Sequence, residues 1–364
     1  MRIAIITQPL RYNYGGILQN FALQTVLKAM GHQVVTLDSE VKGKQNWSRK
    51  FFKFLREIFL FLRDSKGRFL GIYTYQTASE KRSQNTILFI RKYINVCSLK
   101  YYNENDFDAI IVGSDQVWRP SYSNLDEAFL KFAEKNNRII KVAYAASFGT
   151  DEWEYSSEET KIYSQLAQKF DAISVREFSS IRLCSHYLNV TAKHVLDPTM
   201  LLNKCDYINK LHICDVEKSE GRLFYYFLDD NSAKQSFVEH IKEQLNIKPF
   251  TVNSMVELRN AAIEKQIQPP VEKWLRAFYD AEFVITDSFH GCVFSMIFNK
   301  PFVVIANKKR GLARFSVLSM FQQEHRLITA DRIDDVNIDI SLPNVNFDAM
   351  RDYSFDFLKK SLIK

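Results

Sequence analysis

The 364-residue chain has no stretch approaching the roughly 20 uncharged apolar residues that cross a bilayer, which argues against a spanning helix. Cysteine is scarce. Cys97, Cys184, Cys205, Cys214 and Cys292 are scattered, odd in number and without a CxxC pair. Neither a disulfide framework nor a structural zinc site follows from them, and reduced thiols suit a cytoplasm. No Walker loop, G-x-G-x-x-G, G-x-S-x-G or H-E-x-x-H is present, and no Asp/Glu pairs stand at ligand spacing. Dinucleotide, hydrolase and metalloenzyme readings lose their usual support, and neither a metal nor a cofactor is expected. The net charge is +7, but no RNP-like or zinc-finger module accompanies it. Nucleic acid is therefore not an expected partner, whereas small anionic substrates and a phospholipid surface stay open.

The composition that is present, 46% hydrophobic and 25% charged, is that of an ordinary soluble protein. The length suggests two domains. The opening "MRIAIITQPL" is too short for a signal peptide and has no small-residue cleavage site, so it reads as a first strand. Apolar strand-like runs at 2–7, 33–37, 107–112, 139–145 and 172–175 then alternate with helical spacing such as that of 16–30. The pattern breaks across 197–220 and restarts at "RLFYYFL", with helices expected at 231–245, 271–280 and 290–298 and strands at 249–252, 282–286 and 301–305. This is an α/β chain of two doubly wound, Rossmann-like domains, 1–200 and 201–343, facing a cleft. A helical stretch within 344–364 is expected to return to the first domain. One segment departs from the pattern. Residues 46–68 carry seven basic and two acidic residues, and Phe51, Leu55, Ile58 and Leu62 share one helical face. Such a helix can lie on an anionic bilayer or pack on the first domain.

Residues with chemical potential collect where strands should end, the usual ligand position in open α/β sheets. After the first strand, "RYNYGGILQ" offers Asn13, Tyr14, Gly15 and Gly16 at a helix start, where free N–H groups can hold an anion. "VGSDQVW" places Ser114, Asp115, Gln116 and Trp118 together; Asp115 and Gln116 suit sugar hydroxyls, and Trp118 suits either a sugar face or the core. Arg176 ends "AISVR" and can bind a carboxylate or phosphate, or pair with Glu177 or another acid. In "ITDSFHG", Asp287 or Ser288 can cap a helix, Gly291 can let that helix lie close to the sheet, and His290 points to acid–base chemistry or to packing. "VIANKKRGLARF" puts Lys308, Lys309, Arg310 and Arg314 beyond the next strand.

These stretches, with "YAASFG", "LDPTMLL" and "WLRAFYDAEFVITDSFHG" in the same order, resemble the polysaccharide pyruvyl transferase family across roughly residues 3–320. The resemblance implies a two-domain fold similar to GT-B glycosyltransferases. It implies transfer of the enolpyruvyl carbons of phosphoenolpyruvate, a co-substrate, onto a sugar, commonly as a cyclic ketal. By motif, Arg176 and His290 fall on the catalytic positions, with one of Lys308, Lys309 or Arg310 as the downstream cation. Ser288, Gly291 and Arg314 join the donor side, while Asn13, Tyr14, Gly15, Gly16, Ser114, Asp115, Gln116 and Trp118 are expected to face the acceptor. Some members carry Arg where Ser288 stands here, so a donor-binding cation is expected from Arg310 or Arg314. A lipid-linked acceptor, a 4,6-ketal on galactose and a cytoplasmic enzyme visiting the inner face of the membrane complete the implied picture. The alternatives are a GT-B glycosyltransferase using a nucleotide sugar, and a non-catalytic carbohydrate-binding assembly protein.

Overall fold

Burial on both faces explains the apolar runs. In a computed structural model, which describes residues 1–39, 81–103, 106–255, 261–306, 313–329 and 338–363, they form two all-parallel sheets. The basic aromatic segment 46–68 and the cations Lys308, Lys309 and Arg310 lie outside the described residues.

The first sheet comprises β1 (Arg2–Ile6), β2 (Gln33–Asp38), β3 (Val96–Ser98), β4 (Ala109–Val112), β5 (Ile140–Ala146), β6 (Ala172–Val175) and β7 (Lys193–His194), in the order β3-β2-β1-β4-β5-β6-β7. The second comprises β8 (Leu223–Tyr226), β9 (Pro249–Phe250), β10 (Phe283–Thr286), β11 (Phe302–Ile305) and β12 (Leu327–Ile328), in the order β12-β11-β10-β8-β9. Strand order reverses between β1 and β4 in one sheet and between β8 and β10 in the other. Loops diverge at such switch points and leave a crevice beyond the strand ends.

The longer described helices are α1 (Tyr14–Ala29), α2 (Gln84–Tyr93), α3 (Ser157–Ala167), α4 (Ser232–Leu245), α5 (Val271–Asp280), α6 (Phe289–Ile297) and α7 (Asp348–Ser361). Helix α1 is buried nearly all round, so even its polar residues need partners. Gln24 Nε2 donates to Thr36 Oγ1 and to the Asn95 carbonyl, both at 2.8 Å, and Thr36 Oγ1 donates to Asn20 Oδ1 at 2.9 Å. The start of α1 reaches the second domain. Tyr14 stacks on Trp274 of α5 with ring centroids 5.3 Å apart, and its hydroxyl donates to the Pro269 carbonyl at 2.8 Å. Both rings belong to one buried cluster that also holds Ile17, Phe21, Phe224 and Phe294, so the domains share a packed core beneath their cleft. Helix α7 lies against the first domain. Arg351 donates to the carbonyls of Met200 at 2.7 Å and Leu202 at 3.1 Å, and Ser354 Oγ accepts from the Leu196 amide at 3.0 Å. Among the described residues, no helix is long and apolar enough to cross a membrane.

Candidate active site in the interdomain cleft

The carboxyl ends of both sheets face one cavity of about 210 Å³. Gln8, Asn13, Asp115 and Arg176 line it from the first domain; Trp274, Ser288, His290 and Arg314 line it from the second.

His290 is in the first turn of α6. Ser288 caps that helix, its Oγ accepting from the Gly291 amide at 3.3 Å. Asp287 does different work. It accepts from the amides of Leu228 at 2.7 Å and Asp229 at 3.1 Å and from Lys234 Nζ at 2.6 Å, which ties the loop after β8 to the end of β10. Gly291 is needed for close approach, because a Cβ there would lie 2.3 Å from Thr286 Oγ1. The helix therefore sits low on the sheet, and His290 projects across the cleft against Gly15 of α1. A Cβ on Gly15 would fall 1.9 Å from His290 Nδ1. Burial lowers the imidazole's proton affinity, while the carboxylates of Asp197 and Asp115 act in the opposite sense. Asp197 Oδ2 lies 3.8 Å from His290 Nε2, an atom with no hydrogen-bond partner among the described residues.

Arg176 is held more tightly than its expected role requires. Its Nε donates to Glu177 Oε1 at 2.9 Å, its Nη1 to Asp115 Oδ1 and Asp197 Oδ2, both at 3.4 Å, and its Nη2 to Ser147 Oγ at 3.2 Å. Of the five N–H groups of a guanidinium, one is left over. The group also lies over the Phe289 ring, 4.2 Å from its centroid. Three buried carboxylates around one cation make Arg176 first a counter-ion. Asp197, at the centre of this arrangement, is fully buried, yet its carboxyl is held below the usual range. Burial alone would raise it, but His290, Arg176 and the Thr199 hydroxyl and amide outweigh burial. Ser114 Oγ adds a further hydrogen bond at 2.9 Å. The sequence "LDPT" does signal a capping Asp, since Asp197 accepts from the Thr199 amide at 3.0 Å. It does not show that the second oxygen faces Arg176 and His290.

A family model, Polysaccharide pyruvyl transferase, matches residues 13–309, a span that holds His290, Arg176, Asp197 and Asp115. The chain belongs to the polysaccharide pyruvyl transferase family. Membership implies a transferase with a sugar acceptor. Among solved structures, the chain is similar to Arabidopsis thaliana UGT89C1 complexed with UDP-L-rhamnose, at 10% identity over 99% of this chain and 97% of that one, with a TM-score of 0.51. UDP-GlcNAc 2-epimerase from Neisseria meningitidis bound to UDP-GlcNAc matches at 8% identity over 99% and 100%, with a TM-score of 0.47. At these identities the likeness is one of fold, and with UGT89C1 it is the GT-B arrangement of two parallel-sheet domains. No curated protein sequence matches the chain closely enough to count as a relative.

In this pyruvyl transferase family member, the expected site residues divide between cleft and core. Asn13, Gly15, Asp115, Gln116, Arg176, Ser288, His290 and Arg314 line the cavity. Tyr14 is buried in the interdomain core. Ser114 is also fully buried, its Oγ 2.9 Å from both Asp197 Oδ2 and the Ala145 carbonyl, which share its one proton. Trp118 is fully buried too, stacked on Phe129 with centroids 5.0 Å apart, so it fills core rather than meeting a ligand. A Cβ on Gly16 would make only ordinary contacts, 3.6 Å and more, so close packing does not demand glycine there. The amides of Gly15 and Gly16, expected to hold an anion, instead donate to Asn13 Oδ1 at 3.0 and 3.3 Å. Arg314 donates to the Asp287 carbonyl at 3.0 Å and lines the cavity.

Proposed function

We propose that this protein moves the enolpyruvyl carbons of phosphoenolpyruvate onto a sugar of a lipid-linked oligosaccharide, closing a 4,6-ketal on galactose, in the assembly of a bacterial capsular or cell-surface polysaccharide. The observation that carries the proposal is His290 itself: a buried imidazole with an unpartnered Nε2, beside a buried carboxylate, in a cavity of about 210 Å³.

The chemistry runs on two protons. An acceptor hydroxyl attacks C2 of the donor while the C2–C3 double bond takes a proton at C3, giving a methyl group. A second hydroxyl then displaces phosphate from C2 and closes the ring. Of the two hydroxyl protons, one ends on C3 and the other leaves with phosphate. Burial favours neutral His290 in the free protein, so it accepts first. Asp197 and the anionic donor then stabilise the imidazolium until it delivers the proton. Arg314 and the basic segment 308–310 supply charge to the donor's carboxylate and phosphate, and Asp115 and Gln116 orient the acceptor. The acceptor's lipid carrier would bring the enzyme to the inner membrane face.

The test is phosphate release from phosphoenolpyruvate with and without galactosides, followed by mass spectrometry of the acceptor. Acceptor-dependent release with the mass gain of one pyruvyl ketal supports the proposal. Binding of a nucleotide sugar in place of phosphoenolpyruvate would replace it with the glycosyltransferase reading.

A further inference from the structure

Trp118 is in the core, yet four residues on the same turn carries another aromatic ring to the rim of the cavity. Tyr122 is 48% exposed and Tyr12, from the loop after β1, is 36% exposed, and both line the cleft. An exposed ring that swings freely would contribute little to binding, because ordering it opposes association. Tyr122 is not free to swing. The Arg119 guanidinium lies over one face of its ring, 4.9 Å from the centroid. Arg119 is itself clamped: Nε and Nη2 donate to the two oxygens of Glu154 at 3.1 and 3.0 Å, and Nη1 donates to Gln116 Oε1 at 3.3 Å. The turn beneath is pinned as well. The Tyr122 amide donates to the Arg119 carbonyl at 3.1 Å, Ser123 Oγ donates to the Gln116 carbonyl at 3.1 Å, and Gln8 Nε2 donates to that carbonyl at 3.0 Å. Because Gln116 Oε1 accepts from Arg119, its amide is oriented, and its Nε2 remains as a donor at the cavity wall.

This combination of a fixed aromatic face, an oriented amide donor and a nearby carboxylate is chemically specific. A pyranose presents C–H bonds on a ring face and hydroxyls around its rim. The electron-rich face of an aromatic ring attracts the former, and amide and carboxylate groups pair with the latter. We infer that the open face of Tyr122 is the platform on which the acceptor pyranose stacks, with Gln116 and Asp115 taking its hydroxyls. The inference rests on the proposed sugar-acceptor reading and extends it to a binding residue that no sequence motif marked.

The experiment separates binding from chemistry. Saturation-transfer NMR on the full chain, with methyl galactoside, methyl glucoside and N-acetylmannosamine and no donor present, reports contact of each sugar with the protein. Steady-state kinetics with phosphoenolpyruvate report turnover. Tyr122→Ala is expected to remove the saturation transfer and raise the acceptor KM about tenfold, leaving the donor KM unchanged, whereas Tyr122→Phe retains both signals. An unchanged melting temperature confirms that the exposed substitution leaves the fold intact. Sugar contact that Tyr122→Ala removes, together with a wild type that turns over no phosphoenolpyruvate, keeps the platform and removes the pyruvyl reading. Turnover with an acceptor KM indifferent to Tyr122 keeps that reading and overturns the platform. Failure of the wild type to contact any of the three sugars also overturns it.

Discussion

Replacing Gly15 with alanine tests the contact between the domains at its tightest point. Gly15 is in the first turn of α1, where its backbone is helical and alanine alone would be tolerated. Without His290, the exchange should stabilise by about 0.4–1 kcal/mol, by reducing the freedom of the unfolded chain. With His290 in place, the new methyl would be 1.9 Å from Nδ1, about 1.5 Å short of the 3.4 Å at which ordinary contact begins. A buried ring has little room to yield, and overpacking of this kind typically destabilises by about 1–3 kcal/mol. The two substitutions should therefore couple by roughly 1.4–4 kcal/mol. Urea unfolding of wild type, Gly15→Ala, His290→Ala and the double variant gives that coupling directly. Displacing His290 by an ångström should also reduce turnover by about a hundredfold. Additive effects in the cycle, or a Gly15→Ala protein as stable and active as wild type, would refute the reasoning.

Other outcomes follow from the same geometry. Arg176→Met should destabilise by about 3–5 kcal/mol in urea unfolding, because three buried carboxylates lose their shared cation; a variant of full stability that merely binds donor poorly would contradict the counter-ion role. Trp118→Ala should destabilise by about 3–5 kcal/mol through the cavity it leaves, yet leave sugar contact in NMR unchanged. Burial lowers the pKa of folded His290, so the unfolded chain takes up the proton first and stability falls as pH drops through about 6.5, by at most about 1.4 kcal/mol per pH unit for that group. His290→Gln should flatten the stability profile between about pH 7.5 and 5.5, leaving a residual slope from His194 and His32, whose pKa values burial also lowers; an unchanged profile would remove His290 from the titration.

The strands that set the fold were legible because parallel-sheet strands are buried on both faces and so read as unbroken apolar runs. Ala172–Val175 and the helix Val271–Asp280 fall where their patterns placed them. Short edge strands such as Lys193–His194 and Leu327–Ile328 carry too few residues for a period to register. The site was legible as a set of strand ends, since a parallel sheet gathers them on one side. Which side chain meets which was not. Ser114 and Trp118 share a motif with Asp115 and Gln116, but the turn after β4 sends the first pair into the core and the second to the cleft. Nothing in "LDPTMLL" marks Asp197 as part of the site, because its contacts with Arg176 and His290 depend on tertiary packing across 21 and 93 residues of chain. Tyr122 carried no signal beyond being aromatic.

Asp197 belongs to the first domain and His290 to the second. The 3.8 Å between them therefore spans two bodies, and so does the wall that Gly15 gives the imidazole. Two influences on the imidazole, burial that lowers its proton affinity and the Asp197 carboxylate that raises it, are thus conferred by the contact between the domains and by neither domain alone.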